Sequence, residues 1–206
     1  KMCGIAGVYS INSTINHSSV KLMSSEIDHR GPDGEGFFID DNISLAHKRL
    51  KILDLTEAGH QPMFNSDKTK VIVFNGEIYN YRELREKLIQ KGYNFSSETD
   101  TEVLLELYSE YGVDCLNYLN GMFSFAIWDI KNDELFCARD RFGIKPFYYS
   151  KIEDMFIFCS EIKGILAHDQ VIPKPNEKNI HNYLIYGLMD HNNETFFDNI
   201  YQLPAS

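Results

Sequence analysis

What most limits the folds open to this chain is the stretch from residue 122 to 159. Four short runs rich in β-branched and aromatic residues (122–130, 134–139, 147–149 and 155–159) are separated there by turn-forming residues. That spacing is the mark of an antiparallel meander. Earlier runs at 5–9, 37–39, 44–55 and 71–74 have the same character, so two sheets are expected. Helical signals fall between them. Asn80-x-x-Glu83 opens a helix over 81–91 and Thr99-x-x-Glu102 one over 100–111, each with capping-box spacing and each followed by a glycine, Gly92 and Gly112. A first helix is expected over 18–28, with Val20, Met23 and Ile27 apolar and Ser18 or Ser19 as N-cap. After "VIPKPNEKN" (171–179) breaks the pattern, a last helix runs from about 177 to 189. Residues 190–206 read as a connector, so the simplest organisation is one domain over 3–189 with an exit segment.

Composition excludes several classes of function. With 43% apolar residues, 206 residues can bury a real core. The formal charge of −10 is spread along the chain, which disfavours nucleic acid and anionic membranes as partners. Four cysteines, Cys3, Cys115, Cys137 and Cys159, lie too far apart for a disulfide-stapled domain, and no C-x-x-C pair suggests a metal site. A reducing compartment is expected. The longest apolar run, 122–128, falls far short of the roughly 20 residues that cross a bilayer, and no signal peptide is visible. The expected location is the cytoplasm.

Cys3 precedes Gly4 and an apolar run, and a cysteine at the mouth of a strand is ordinarily packing. Its position suggests chemistry. Removal of Met2 makes Cys3 the first residue, joining a thiol (pKa about 8.5) to an α-amine (about 7.7–8.0), a nucleophile and a base in one residue. Arg49, in "LAHKRLKILDL", shares parity with Leu45, Leu53 and Leu55 if that run is one strand. It then needs an anion, an internal acid or a substrate carboxylate, unless a bend turns it to solvent. Asn75-Gly76 is usually a hairpin turn, but helical residues follow it. The pair is therefore expected at a strand's end, where an amide and a backbone N–H can converge on one oxygen. Asp100 alone reads as an acid favoured in a helix's first turn.

Seven ordered blocks cover almost the whole chain: "MCGIAGVY" (2–9), "HRGPDGEG" (29–36), "HKRLKILDL" (47–55), "NGEIYNYRELR" (75–85), "TDTEVLLELY" (99–108), "LNGMFSFAIWD" (119–129) and "ARDRFGIKPFYY" (138–149). Together they resemble the glutaminase domain of class II glutamine amidotransferases, most nearly that of the glutamine-hydrolysing asparagine synthetases, to which the Pro-Asp of "HRGPD" points. The resemblance implies an α+β fold, the N-terminal-nucleophile hydrolase four-layer α/β/β/α sandwich with two antiparallel sheets. It implies that Cys3 attacks the glutamine side chain, that Asn75 and Gly76 stabilise the oxyanion, that Arg49 and Asp100 hold the α-carboxylate and α-amine, and that Ile52, Leu53 and Glu77 line the pocket. It implies no metal and no cofactor in this domain; ATP and magnesium belong to a C-terminal synthetase domain that would receive the ammonia. No Ser-Gly-Gly-x-Asp-Ser or G-x-x-x-x-G-K-[ST] loop is present.

Lys1 precedes Met2, and if both residues stay attached Cys3 has an amide where the base should be. Three alternatives stay open: a non-catalytic interaction module that kept the fold, an amidotransferase with a different acceptor, and a Cys-His hydrolase using His29 or His47. A homodimer is also left open.

Overall fold

The computed structural model describes residues 2–12, 15–189 and 191–205. Lys1, Asp190 and Ser206, on which parts of the expectations above fall, lie outside them. Every strand pairing is antiparallel. One sheet has six strands in the order β10-β8-β9-β1-β3-β2, formed by β1 (Gly4–Ser10), β2 (Gly34–Asp40), β3 (Ile43–Arg49), β8 (Tyr148–Ile152), β9 (Met155–Cys159) and β10 (Tyr201–Gln202). The other has four in the order β4-β5-β6-β7, formed by β4 (Met63–Phe64), β5 (Lys70–Ile78), β6 (Gly121–Asp129) and β7 (Glu134–Arg139).

Alternation along the strands sorts side chains into layers. On β1, Ala6 and Val8 face α1 (His17–Ser25) and α4 (Ile162–Leu166), while Ile5 joins Leu45, Val71, Val73, Trp128 and Phe158 between the sheets. On β5, Ile72, Phe74 and Ile78 pack against α2 (Tyr81–Gln90) and α3 (Asp100–Tyr111). Each fully buried aliphatic or aromatic side chain of these layers contributes about 1.5–3 kcal/mol. The result is the expected α/β/β/α sandwich. The odd-numbered parity that turns Ile5 inward also turns Cys3, Arg49 and Asn75 toward the space between the sheets.

Several local expectations are corrected. The cap of α1 is Asn16, whose side chain accepts from Ser18 N–H at 3.2 Å, and neither Ser18 nor Ser19. Ser19 is buried and its hydroxyl donates to Asp169. β3 stops at Arg49 instead of running to residue 55, because Asp54 takes a positive φ (48°) and accepts from Thr56 N–H, folding 50–56 into a loop. β5 does not end at Asn75-Gly76. The pair lies inside the ladder, opposite Ser124 and Phe123, because β6 continues alongside as far as Ile78. Thr99 caps α3 by accepting from Glu102 N–H, but Asn80 makes no such bond to α2; its side chain spans to Tyr118 O and Asn120 N–H. The last helix, α5 (Glu177–Tyr186), ends at Gly187 in the left-handed region. Beyond it, β10 pairs with β8, and Ile200 is buried in the layer beneath α1.

Candidate active site

At one end of the sandwich the two sheets part into an open cleft lined by residues from both. Cys3 stands there immediately before β1. Its carbonyl accepts from Arg30 Nε at 2.9 Å, and the next turn of main chain is pinned by the Ile5 N–H donating to Ser160 Oγ. Its Sγ accepts from Leu50 N–H at 3.3 Å and lies 3.6 Å from Leu50 O. Burial pushes the thiol's pKa up. The Leu50 N–H, Arg49 and Arg30 pull it down, Asp100 adds to the rise, and the net direction is upward. The group is therefore a thiol at neutral pH, and to act as a nucleophile it must hand its proton to a base.

Arg49 is 4% exposed and has no acid within ion-pairing distance among the described residues. Its Nη1 donates to Thr56 O at 2.8 Å and its Nη2 to Asp54 O at 2.6 Å, so the loop that ends β3 wraps around its guanidinium. Gly59 makes this approach feasible, because a Cβ there would sit 2.2 Å from Nη2. Neutral carbonyls satisfy donors but not charge, and the guanidinium faces the cleft uncompensated.

The opposite wall is an open sheet edge. β4 covers β5 only as far as Ile72, so from Phe74 to Ile78 the outward main-chain groups of β5 lack a partner strand. Side chains substitute. Phe74 N–H donates to Gln61 Oε1 at 2.7 Å, Phe74 O accepts from His47 Nε2 at 3.2 Å, and Ile78 N–H donates to Asp100 Oδ2 at 2.9 Å. Gly76 lies between them on the same edge, since its opposite number Phe123 directs its own N–H and C=O toward Asp140. Among the described residues no side chain caps the Gly76 N–H. A glycine is needed because a Cβ would meet Met122 O at 2.4 Å. Next to it, Asn75 is 1% exposed and its Nδ2 has no hydrogen-bond partner. Two donors without a protein partner thus sit on consecutive residues, the Gly76 N–H at the cleft and the Asn75 Nδ2 buried, where donors are nearly always satisfied.

Asp100, the first residue of α3, is buried; burial chiefly, and Glu77 beside it, lift its carboxyl to about 6 against the pull of main-chain N–H groups. The cleft is therefore polarised, with a free cation on the six-stranded side and two acids on the other.

Of the residues singled out in the sequence, Cys3, Arg49, Ile52, Leu53, Gly76, Glu77 and Asp100 all line the cleft. Asn75 does not; its side chain is directed to the inter-sheet layer of Val71 and Val73. Leu50, Gly59, Gln61, Phe74, Thr99 and Thr101 line it unforeseen. Gln61 carried one signal, a polar residue before Pro62 in a turn-rich stretch, and it also receives Thr101 as partner through Nε2 at 3.2 Å. The two histidines weighed as bases do not line the cleft. His29 pairs with Glu161 at the surface, and His47 is buried with its pKa pushed down to about 3, so it stays neutral. Among the described residues no cluster of three or more His, Cys, Asp or Glu side chains could hold a metal ion.

A family model described as "Glutamine amidotransferase domain" matches residues 2–206. The chain belongs to that family. As a glutamine amidotransferase domain it is 46% identical over 195 residues (85% of this chain, 37% of the relative) to a Methanocaldococcus jannaschii protein provisionally named asparagine synthetase [glutamine-hydrolyzing] 2. It is 45% identical over 170 residues (81% of this chain, 27% of the relative) to asparagine synthetase [glutamine-hydrolyzing] 1 of Bacillus subtilis. The domain thus spans 22–37% of the length of the curated relatives it matches. In fold it is similar to the glutamine phosphoribosylpyrophosphate amidotransferase of B. subtilis, with a TM-score of 0.69 at 21% identity, covering 80% of this chain and 43% of that one.

Proposed function

We propose that this domain hydrolyses glutamine to glutamate and ammonia through a thioester on Cys3. The observation that carries the reading is that Gly76, whose N–H no side chain caps, lines one cleft with the half-buried thiol of Cys3, while the unmet Nδ2 of Asn75 lies beside it on the same strand. An oxyanion formed by attack of Sγ on the side-chain amide supplies the acceptor both lack. The α-amine of a chain beginning at Cys3 takes the thiol proton and returns it to the departing nitrogen, and water then cleaves the thioester. Arg49 binds the substrate α-carboxylate while Asp100 and Glu77 receive the α-ammonium, so that a zwitterion can enter in one orientation only.

The ammonia passes to an ATP- and magnesium-dependent synthetase domain that the longer protein carries beyond this one, with asparagine as the product that the relatives' names suggest. A partner surface is available. Leu184, Ile185, Tyr186 and Met189, on α5 and just after it, are more than half exposed.

The test is intact-protein mass spectrometry before and after incubation with 6-diazo-5-oxo-norleucine, beside a glutaminase assay. A chain starting at Cys3 that gains one adduct, lost in Cys3→Ala together with activity, is the expected result. A clean Cys3 start with neither adduct nor turnover defeats the reading and leaves a non-catalytic module.

A further inference from the structure

The turn between β7 and β8 presents another cation to the nucleophile. Lys145 is 5% exposed, yet among the described residues no carboxylate lies within ion-pairing distance of its Nζ, whose contact is the Sδ of Met2 at 3.0 Å. A thioether is a weak acceptor, so the ammonium is buried without the acid that normally accompanies one. The main chain around it is fixed. Asp140, 1% exposed, accepts the N–H groups of Phe142, Ile144 and Lys145 and, from β6, that of Phe123. Arg139 Nε donates to Lys145 O at 2.6 Å. A turn built this rigidly delivers one particular side chain to one particular place.

We propose that Lys145 is a positioning residue for the base: its ammonium, one methionine side chain away from the Cys3 nitrogen, keeps the α-amine of a chain beginning at Cys3 neutral and able to accept a proton. This rests on the N-terminal nucleophile reading above. An isolated α-amine, with its pKa of about 7.7–8.0, is mostly protonated at pH 7 and is a poor base there. A like charge at close range disfavours the protonated form. In the step concerned, the proton leaves Sγ for the amine nitrogen, the new S–C bond forms, and the carbonyl π pair moves to oxygen. The charged groups that act on this corner are Arg30, Arg49 and Lys145 on the positive side and Asp100, Glu77 and Asp140 on the negative. Arg30 and Arg49 are engaged by Cys3 O, Glu161 and the 54–56 carbonyls. Arg30 is offset by Glu161, and Arg49, whose charge is not offset, is assigned above to the substrate carboxylate; Lys145 is the cation in contact with Met2, next to the amine.

The experiment is the pH dependence of kcat/KM for glutamine, measured on the full chain with its N-terminus at Cys3 verified by mass, for wild type, Lys145→Met and Lys145→Arg. Removing the charge should move the ascending limb upward by on the order of one pH unit, about tenfold lower at pH 7 and regained near pH 9, while Lys145→Arg leaves the limb in place. A Lys145→Met profile lowered equally at all pH values, or not at all, overturns the proposal and reduces Lys145 to packing. If the methionine variant does not fold, Lys145→Gln supplies the neutral arm. A wild-type chain with no turnover, or turnover that survives Cys3→Ala, overturns the nucleophile reading and this proposal with it, and is recognised without touching Lys145.

Discussion

Asp100 ties the site's chemistry to pH. Its carboxyl titrates near 6 in the folded chain and near 3.9 when unfolded, so between these values the folded state holds the extra proton. The stability this group contributes is full below about pH 4 and is lost as pH rises through about 6. Asp100→Asn is therefore expected to stabilise the chain by about 2 kcal/mol at pH 8 and by little at pH 4, as followed by thermal unfolding at both. The same substitution should raise KM for glutamine, and in wild type KM should climb as pH falls below 6, since only the carboxylate can hold an ammonium. Asn75→Ala should lower kcat by about 10²–10³ with KM nearly unchanged. Arg49→Met should do the reverse, raising KM about 10–100-fold through the loss of a charge-assisted bond. Cys3 and Arg49 stand out in the sequence as a thiol before a strand and a guanidinium on a partly apolar face, whereas Asp100 alone reads as an acid favoured in a helix's first turn and joins them only through the family resemblance. Gln61 is not legible there, because its task, filling the acceptor vacancy at Phe74 N–H, exists only once β4 proves too short.

At the scale of elements, α3 does the most for the site, since its first turn carries Asp100 and its cap sets where that turn begins. Thr99 Oγ1 accepts from Glu102 N–H, and Ser97 Oγ lies 2.8 Å from it. Thr99→Ala should cost about 1 kcal/mol in chemical denaturation, with Thr99→Ser restoring most of it. The helices with good end signals were readable to within a residue or two, as were β7 and β9, whose bounds match. Two features misled. Asn75-Gly76 has hairpin chemistry, yet pairing along the whole of β6 overrides it. The apolar run after Arg49 mimics a strand, yet Asp54 and the guanidinium bend it into the cleft wall, leaving Ile52 and Leu55 each 67% exposed. Short α4, of five residues, has too few positions to show a period.

For the molecule as a whole, the strand that follows Cys3 is central in its sheet, between β3 at 43–49 and β9 at 155–159. The strand that places Cys3 is therefore held by segments that come later in the chain on both of its sides. Until β3 and β9 are made, the strand after Cys3 has no partner on either side in this sheet. The contact of Met2 with Lys145 likewise needs a segment far along the chain, so trimming ahead of Cys3 meets no such contact while the chain is incomplete.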